Sequence, residues 1–551
     1  MKRTIILAAL LGTFLTLSAQ QTSVFKMVKD INTTGDSIPS DLIKYNSKLY
    51  FVADDGQHGK ELWVSDGAQT AMVKDIYPGE NGSDIGNLRI LDGKLIFTAT
   101  NPSNGNELWS SDGTEQGTQL LKDMYPGESG SYAFEFVEFA NALYFRSDDG
   151  IHGTELWRTD GTAAGTMMVN DLRPGEFGSN PSNFAVLNNK LYFNALDGFD
   201  YDSGEHGFEL WSTDGTSAGT ALVKDIYPGG GSYPSNLKAF GNKIYFNADD
   251  GTNGTELWAS DGTNEGTYMV KNINTGGNGS SLAADFIDFK GKLLFSAFSS
   301  DSGREMWTTD GTVAGTKILK DVYTGTEGGV IPQFKYLMYK DKLYLTLRDE
   351  EHGAEIWVTD GTTEGTKLFV DVFPGPENSM GITQSPMLFH ELTGLMYFRA
   401  IIDESYYQLW QSDGTVAGTK RIMVDPINPS EDALGYTPYF TTVGDEMYFT
   451  AKYNESGYEL WSLTNDQSLA TAQSQTTKVS VYPNPASEFI MISGNAASSK
   501  VEIHDLSGRL VLSNILVNKD QRINISSLNK GAYILTVKTD KNLSTHKLIK
   551  K

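Results

Sequence analysis

Along most of this chain, short apolar runs are broken every few residues by Gly, Asp, Asn and Pro. Residues 234–273, PSNLKAFGNKIYFNADDGTNGTELWASDGTNEGTYMVKNI, carry the pattern at its plainest. They predict four short strands: Asn236–Phe240, Lys243–Ala248, Glu256–Ser260 and Tyr268–Ile273. The Gly-Asn, Asp-Asp-Gly and Asp-Gly-Thr steps between them supply the positive-φ positions of tight hairpins. The second strand is apolar at successive positions, as in Leu143–Phe145, which marks a strand buried on both faces. Beyond the first twenty or so residues, no segment has a helical period of apolar positions.

The unit recurs. All nine tryptophans, Trp63, Trp109, Trp157, Trp211, Trp258, Trp307, Trp357, Trp410 and Trp461, stand in copies of one motif, 46 to 54 residues apart. A period near fifty signals a repeat architecture. Four antiparallel strands per unit predict an all-β fold, a large β-propeller of about nine four-stranded blades over residues 25–463. A fourth-strand sequence, Phe25–Ile31, precedes the first complete unit, and the last unit stops after its third strand, Tyr458–Leu463. The former can therefore complete the latter and close the ring; an open superhelix or two smaller rings are the alternatives.

Each Trp would bury roughly 150–250 Å² against the neighbouring blade, about 4–6 kcal/mol. The third strand of eight units ends in an Asp: Asp66, Asp112, Asp160, Asp214, Asp261, Asp310, Asp360 and Asp413. Its carboxylate can accept N–H groups of the following loop in an Asx turn. The last unit, Leu463-Thr464-Asn465-Asp466, lacks the motif. The repeat, with its Glu-Leu-Trp and Asp-Gly-Thr steps, resembles the ELWxxDGT repeat proteins, a secreted bacterial family; the resemblance implies architecture and no particular activity.

Composition narrows the context. Lys2 and Arg3, an apolar stretch from Thr4 to Leu17 and the small pair Ser18-Ala19 predict a signal peptide over residues 1–19. No later stretch is long and apolar enough to predict a transmembrane segment. There is no cysteine, which excludes disulfides, thiolate metal sites and a lipid-modified cysteine anchor. The formal charge is −25, yet from Lys478 onward 11 Lys/Arg face 5 Asp/Glu, so the acid lies in the repeat body. An acidic body argues against nucleic acid as a partner.

After a polar linker, residues 464–477, the tail from 478 to 551 reads as seven short strands of a small C-terminal β-sandwich. Tyr482-Pro483-Asn484-Pro485, Asp505 through Gly508, Gly531-Ala532-Tyr533 and the terminal run containing Lys547 and Lys550 resemble the C-terminal sorting domain of type IX secretion in Bacteroidetes. The resemblance implies the type IX secretion machinery as a partner, passage across the outer membrane, and release or attachment at the cell surface.

Chemistry-bearing residues recur rather than cluster. His58, His152, His206 and His352 share one repeat position, which reads as a polar turn residue because Asn or Ser fills it elsewhere. Glu61, Glu107, Glu155, Glu209, Glu256, Glu305, Glu355 and Glu459 precede Trp by two residues, with Gln408 the exception. Calcium is the candidate cofactor, through Asp54, Asp55, Asp148, Asp149, Asp249 and Asp250, although no turn has the spacing of a dedicated calcium loop. Backbone hydrogen bonding by the repeated Glu accounts for its recurrence equally well.

Arg146 and Arg399 read as following their second strands, with Arg348 a little further on. The irregular stretches are Leu196–Gly207 and Ile401–Trp410. Uniform repetition favours an exported binding, adhesion or structural module that meets an extracellular glycan or protein through loops and channel rim. The alternative is an enzyme acting on extracellular polysaccharide, and no catalytic residue stands out.

Overall fold

The computed structural model describes residues 22–198, 205–275, 279–331, 335–379, 390–392, 394–401, 407–422, 433–434, 439–466, 480–482, 486–493, 499–505, 509–517, 522–538 and 543–551. Residues 1–19, which the sequence reads as a signal peptide, lie outside these residues. The chain divides into two compact units, one spanning Val24–Thr464 and one built on the tail. No helix in the described residues is long and apolar enough to cross a membrane.

Within residues 22–466 the described strands form nine four-stranded antiparallel sheets. Eight are local, covering residues 40–74, 86–122, 134–170, 182–224, 235–271, 284–320, 336–370 and 390–421. The ninth takes three strands from residues 441–466 and its fourth, Thr22–Lys29, from the start of the chain. In the fifth sheet the strands run Ser235–Phe240, Lys243–Asp249, Thr255–Ser260 and Tyr268–Lys271, within two residues of the sequence reading. The last sheet's third strand, Glu459–Asp466, continues past Leu463 into what reads as linker, because no Asp-Gly turn stops it.

Apolar clusters fill the seams between successive sheets, and each Trp packs on the sheet before its own. Trp109 lies with Tyr45, Tyr50 and Leu62 of the first sheet, and Trp211 with Phe139, Tyr144 and Leu156 of the third. The series returns on itself: Trp63, Leu49 and Phe51 of the first sheet pack against Tyr448 and Leu460 of the ninth. Across this seam the Ile31 N–H donates to Glu459 at 2.9 Å and the Thr441 hydroxyl to the Leu42 carbonyl at 3.0 Å. First strands of neighbouring sheets approach one another from the first sheet to the sixth, and those of the ninth and first do the same.

Fourth-strand lysines tie seams from the other edge. Lys122 Nζ donates to the Thr166 carbonyl and Lys320 Nζ to that of Thr366 at 2.6 Å, each ammonium lying over the next sheet's Trp.

The seams also explain the Asp-Gly-Thr motif. Gly113 has φ +91°, and a Cβ there would meet the hydroxyl of Tyr50 from the preceding sheet. Gly117, four residues on, has the Asp112 carboxylate where its Cβ would be. Asp160 shows the turn itself: Oδ1 accepts the Thr162 N–H at 2.9 Å and its hydroxyl at 2.7 Å. Asp160→Ala should therefore lower stability by about 1 kcal/mol, the usual scale for one such pair of bonds near the surface. Calorimetry checks this, with Asp160→Asn expected to recover part of the loss.

Among its described residues the tail unit contains seven strands in two sheets. One has three strands, Ser480–Tyr482, Phe489–Ser493 and Arg522–Asn524; the other has four, Leu510–Val517, Ser499–His504, Gly531–Lys538 and Leu543–Lys550. Ile490 and Ile523 from the first sheet pack with Val501, Ile503, Leu535 and Leu548 from the second.

Candidate functional site

The eight repeated Glu side chains are fully buried. Each faces the connection that leads to the next sheet. Glu209 accepts the N–H groups of Ile226 (2.9 Å), Tyr227 (3.3 Å) and Ser232 (2.9 Å), and the Ser232 hydroxyl as well. Glu459 does the same for the N-terminal segment through Ile31, Asn32 and Ser37. These carboxylates are internal splints for the connections.

Burial pushes the carboxyls of Glu61, Glu155, Glu209, Glu305 and Glu355 up to about 7, against the pull of their hydrogen bonds. Folded carboxyls with raised pKa hold protons that the unfolded chain releases above about 4.5. Stability from this source is complete below that pH and lost as pH rises through about 7. The protein should accordingly melt at a higher temperature at pH 5 than at pH 8, as thermal scans across that range will read.

The carboxylate-rich turns between second and third strands bond their own backbone. Asp55 Oδ1 accepts the N–H groups of Gln57 and His58, while Oδ2 meets His58 Nδ1 at 2.8 Å; Asp54 Oδ1 accepts the Gly56 N–H. Asp148 and Asp149 bind Gly150, Ile151 and His152 in the same way, and Asp249 and Asp250 bind Gly251, Thr252 and Asn253. Bonding to Asp, helped by Asp75 or its equivalents in the following connection, raises the pKa of His58, His152 and His352.

The three Asp pairs belong to the first, third and fifth sheets, and the fold does not gather them. Among the described residues no group of three or more His, Asp or Glu is placed to hold a metal ion. The carboxylate oxygens of these turns accept N–H groups of the turns themselves.

Arg146 and Arg399 lie inside their second strands, not after them, because those strands extend further than the apolar run. Arg146 stacks on Phe134 and Arg399 on Tyr407, both at 3.7 Å. Arg348 also lies within its strand and donates to the Glu327 and Gly328 carbonyls.

A different set of residues comes together at one end of the sheets. The turn between second and third strands meets the connection to the next sheet at closest backbone approach, as where Gly153 abuts Gly178. Both therefore lie on one face. Here the connections carry a series of left-handed residues: Ile38 (φ 42°), Asp84 (φ 46°), Tyr132 (φ 47°), Asn180 (φ 48°), Tyr233 (φ 49°) and Leu282 (φ 47°). Three residues further on, a second left-handed series opens the first strands: Asp41, Asn87, Glu135, Asn183, Asn236 and Asp285. Each of these sits in a register shift of its ladder.

These polar residues link neighbouring sheets. The Asn183 N–H donates to Glu135 at 3.3 Å, and the Asn236 N–H to Asn183 Oδ1 at 3.0 Å. Sequence reasoning missed the series, although an acidic or amide residue recurs at the second position of SDLIKY, GNLRIL, FEFVEF, SNFAVL, SNLKAF and ADFIDF.

In the tail, Tyr533 is buried and its hydroxyl donates to the Asn529 carbonyl at 2.9 Å. Gly531 opens its strand, Tyr482 closes one, Lys547 is exposed, and Lys550 Nζ reaches the Lys551 carbonyl. Pro483, Asn484, Pro485 and Gly508 fall outside the described residues.

Residues 480–551 match the sequence family described as the secretion system C-terminal sorting domain. The chain is thus a secreted, all-β protein of propeller-like sheets carrying a type IX sorting tail. No curated protein matches the sequence. Among solved structures, a puromycin hydrolase mutant is similar at 13% identity and TM-score 0.36, covering 68% of this chain and 59% of that one. This chain therefore spans about three-fifths of the hydrolase's length. The β-propeller domain of the Trilobed protease from Pyrococcus furiosus is similar at 11% identity and TM-score 0.31, covering 71% of this chain and 99% of that domain. Likenesses this distant speak to neither activity nor substrate.

Proposed function

We propose that residues 25–463 form one closed nine-bladed propeller of the ELWxxDGT kind, displayed at the cell surface as a binding or adhesion module. The signal peptide, residues 1–19, starts export; the tail, joined through 464–477, directs the chain onto the type IX machinery. The observation that carries the binding role is the rim face. Its connections present Tyr132 (63% exposed), Tyr233 (56%) and Leu282 (49%) beside the polar bulges of the first strands. Exposed apolar groups rimmed by polar ones are the usual mark of an interaction surface. The repeated carboxylates, by contrast, are occupied with backbone donors, which leaves a polysaccharide-cleaving enzyme as the weaker reading.

The test uses a host that possesses the type IX route. Intact cells making the full chain should label with antibody to the repeats, and cells making a chain without residues 480–551 should not. The purified full chain should be retained on extracellular matrix from those cells without releasing sugars or peptides. Labelling independent of the tail, or release of sugars, would overturn the reading.

A further inference from the structure

Resting on the binding-module reading, we infer that one arc of the rim, across the third to sixth sheets, binds a neutral polysaccharide. The arc brings Tyr132 and Glu135, Asn183, Tyr233 and Asn236, and Asp285 onto four consecutive sheets.

Its first support is conformational. The left-handed region suits Gly, Asn and Asp, and disfavours a bulky side chain. The equivalent positions of the second and fourth sheets follow that preference with Asp84 and Asn180. Tyr132 and Tyr233 do not, nor do Ile38 and Leu282 before the first and sixth sheets; the two Tyr are the most exposed of the four, so burial returns least for their strain. Tyr233 is also braced, its ring stacked on Phe208 with centroids 5.3 Å apart. A braced, exposed aromatic ring offers a flat apolar face with a hydroxyl at its edge, which matches the C–H face of a sugar ring.

The second support is independent of backbone strain. Directly across the ladder from Ser182 and Ser235 lie Asn194 and Asn247 on the second strands. They are 8% and 2% exposed, yet neither Oδ1 has a hydrogen-bond partner. The Asn194 amide N–H reaches the Ser182 hydroxyl, so this amide faces the first strand next to the Asn183 bulge. A buried acceptor without a donor is unfavourable. The hydroxyls of a sugar are donors of the required kind.

Charge selects among polymers. Arg146 lies beside Glu135 and Arg304 beside Asp285, so the arc itself is close to neutral, while the repeat body around it is acidic and repels uronic or sulfated chains. Carboxylates and amides side by side suit the paired hydroxyls of an uncharged sugar.

The experiment is affinity electrophoresis of the full chain through gels holding laminarin, galactomannan or arabinoxylan, with alginate and oligolysine as charged probes. Two variants accompany it. Tyr132→Asn/Tyr233→Asn places at both sites a residue that accepts the left-handed backbone, and Asn236→Gly removes an amide where φ is 56°. Retardation by a neutral polysaccharide, reduced at least tenfold in apparent affinity by the double variant and weakened by Asn236→Gly, with melting temperature close to the parent, is the expected result. Retardation that both variants leave unchanged overturns the arc while the binding-module reading stands. Retardation by alginate or oligolysine alone, or by no probe, overturns the neutral-glycan assignment. Surface display and matrix retention, measured separately above, then decide whether the broader reading falls with it.

Discussion

A chain that lacks residues 22–29 should lose on the order of 5–8 kcal/mol of stability and associate with itself. Those residues supply the fourth strand of the ninth sheet, far from its other three in sequence. Phe25 packs edge-on against Tyr453 at 5.6 Å and Phe449 at 6.2 Å, and Lys29 lies over Trp63 at 5.1 Å. Phe25, Met27 and Val28 belong to the apolar seams on either side of that sheet. Each such side chain is half-buried and contributes part of the roughly 1.5–3 kcal/mol of full burial, and the strand's hydrogen bonds supply the rest. Deletion also bares Glu459–Asp466 as an unpaired edge, a template for pairing with a second copy. Calorimetry and sedimentation read the two effects, and a synthetic peptide of residues 22–31 added in trans should restore the monomer. A truncated chain that stays monomeric with an unchanged melting temperature would show that the strand closes nothing.

Glu209→Ala should cost about 3 kcal/mol or more, whereas Glu209→Gln should cost less than about 1 kcal/mol. The alanine variant strands three N–H groups and a hydroxyl in a site with no exposure. Each orphaned buried donor is worth roughly 1–3 kcal/mol, and water entering the vacated space offsets part of the sum. Glutamine keeps one acceptor oxygen without the charge that burial penalises, and the chain already uses it as Gln408, which is 5% exposed. The Glu209→Gln protein should also lose part of the decline in stability between pH 5 and pH 8, since one of the carboxyls held near 7 is gone. Equal losses for alanine and glutamine would mean that charge, not backbone capture, is what the position needs.

The sequence and the structure agree where information is local. Asp-Gly and Gly-Asn steps mark hairpins because positive φ is a property of one or two residues. The strands of the fifth unit could thus be placed to within two positions. Trp spacing reveals the repeat, and the leftover strand Phe25–Ile31 reveals its own partner, since every other unit has four.

What stayed hidden depends on pairs distant in the chain. The Asp-Gly-Thr glycine reads as a turn residue, yet the Tyr50 hydroxyl of the sheet before it also bars a side chain at Gly113. Lys122 looks like an exposed strand residue until the next sheet's Trp157 and Thr166 stand beneath it. The bulge residues from Asp41 to Asp285 escape notice because a period-two strand has no place for an extra residue, and only the ladder reveals the shift. Asp54-Asp55 also accepts N–H groups of its own turn, which the sequence does not display.

We propose that nine sheets close into one ring through the N-terminal strand, and electron-microscopy projection averages of the full chain test this. The account predicts a view down one axis with nine radial sheets and no gap between the ninth and the first. An open arc, a superhelix or two smaller rings would contradict it.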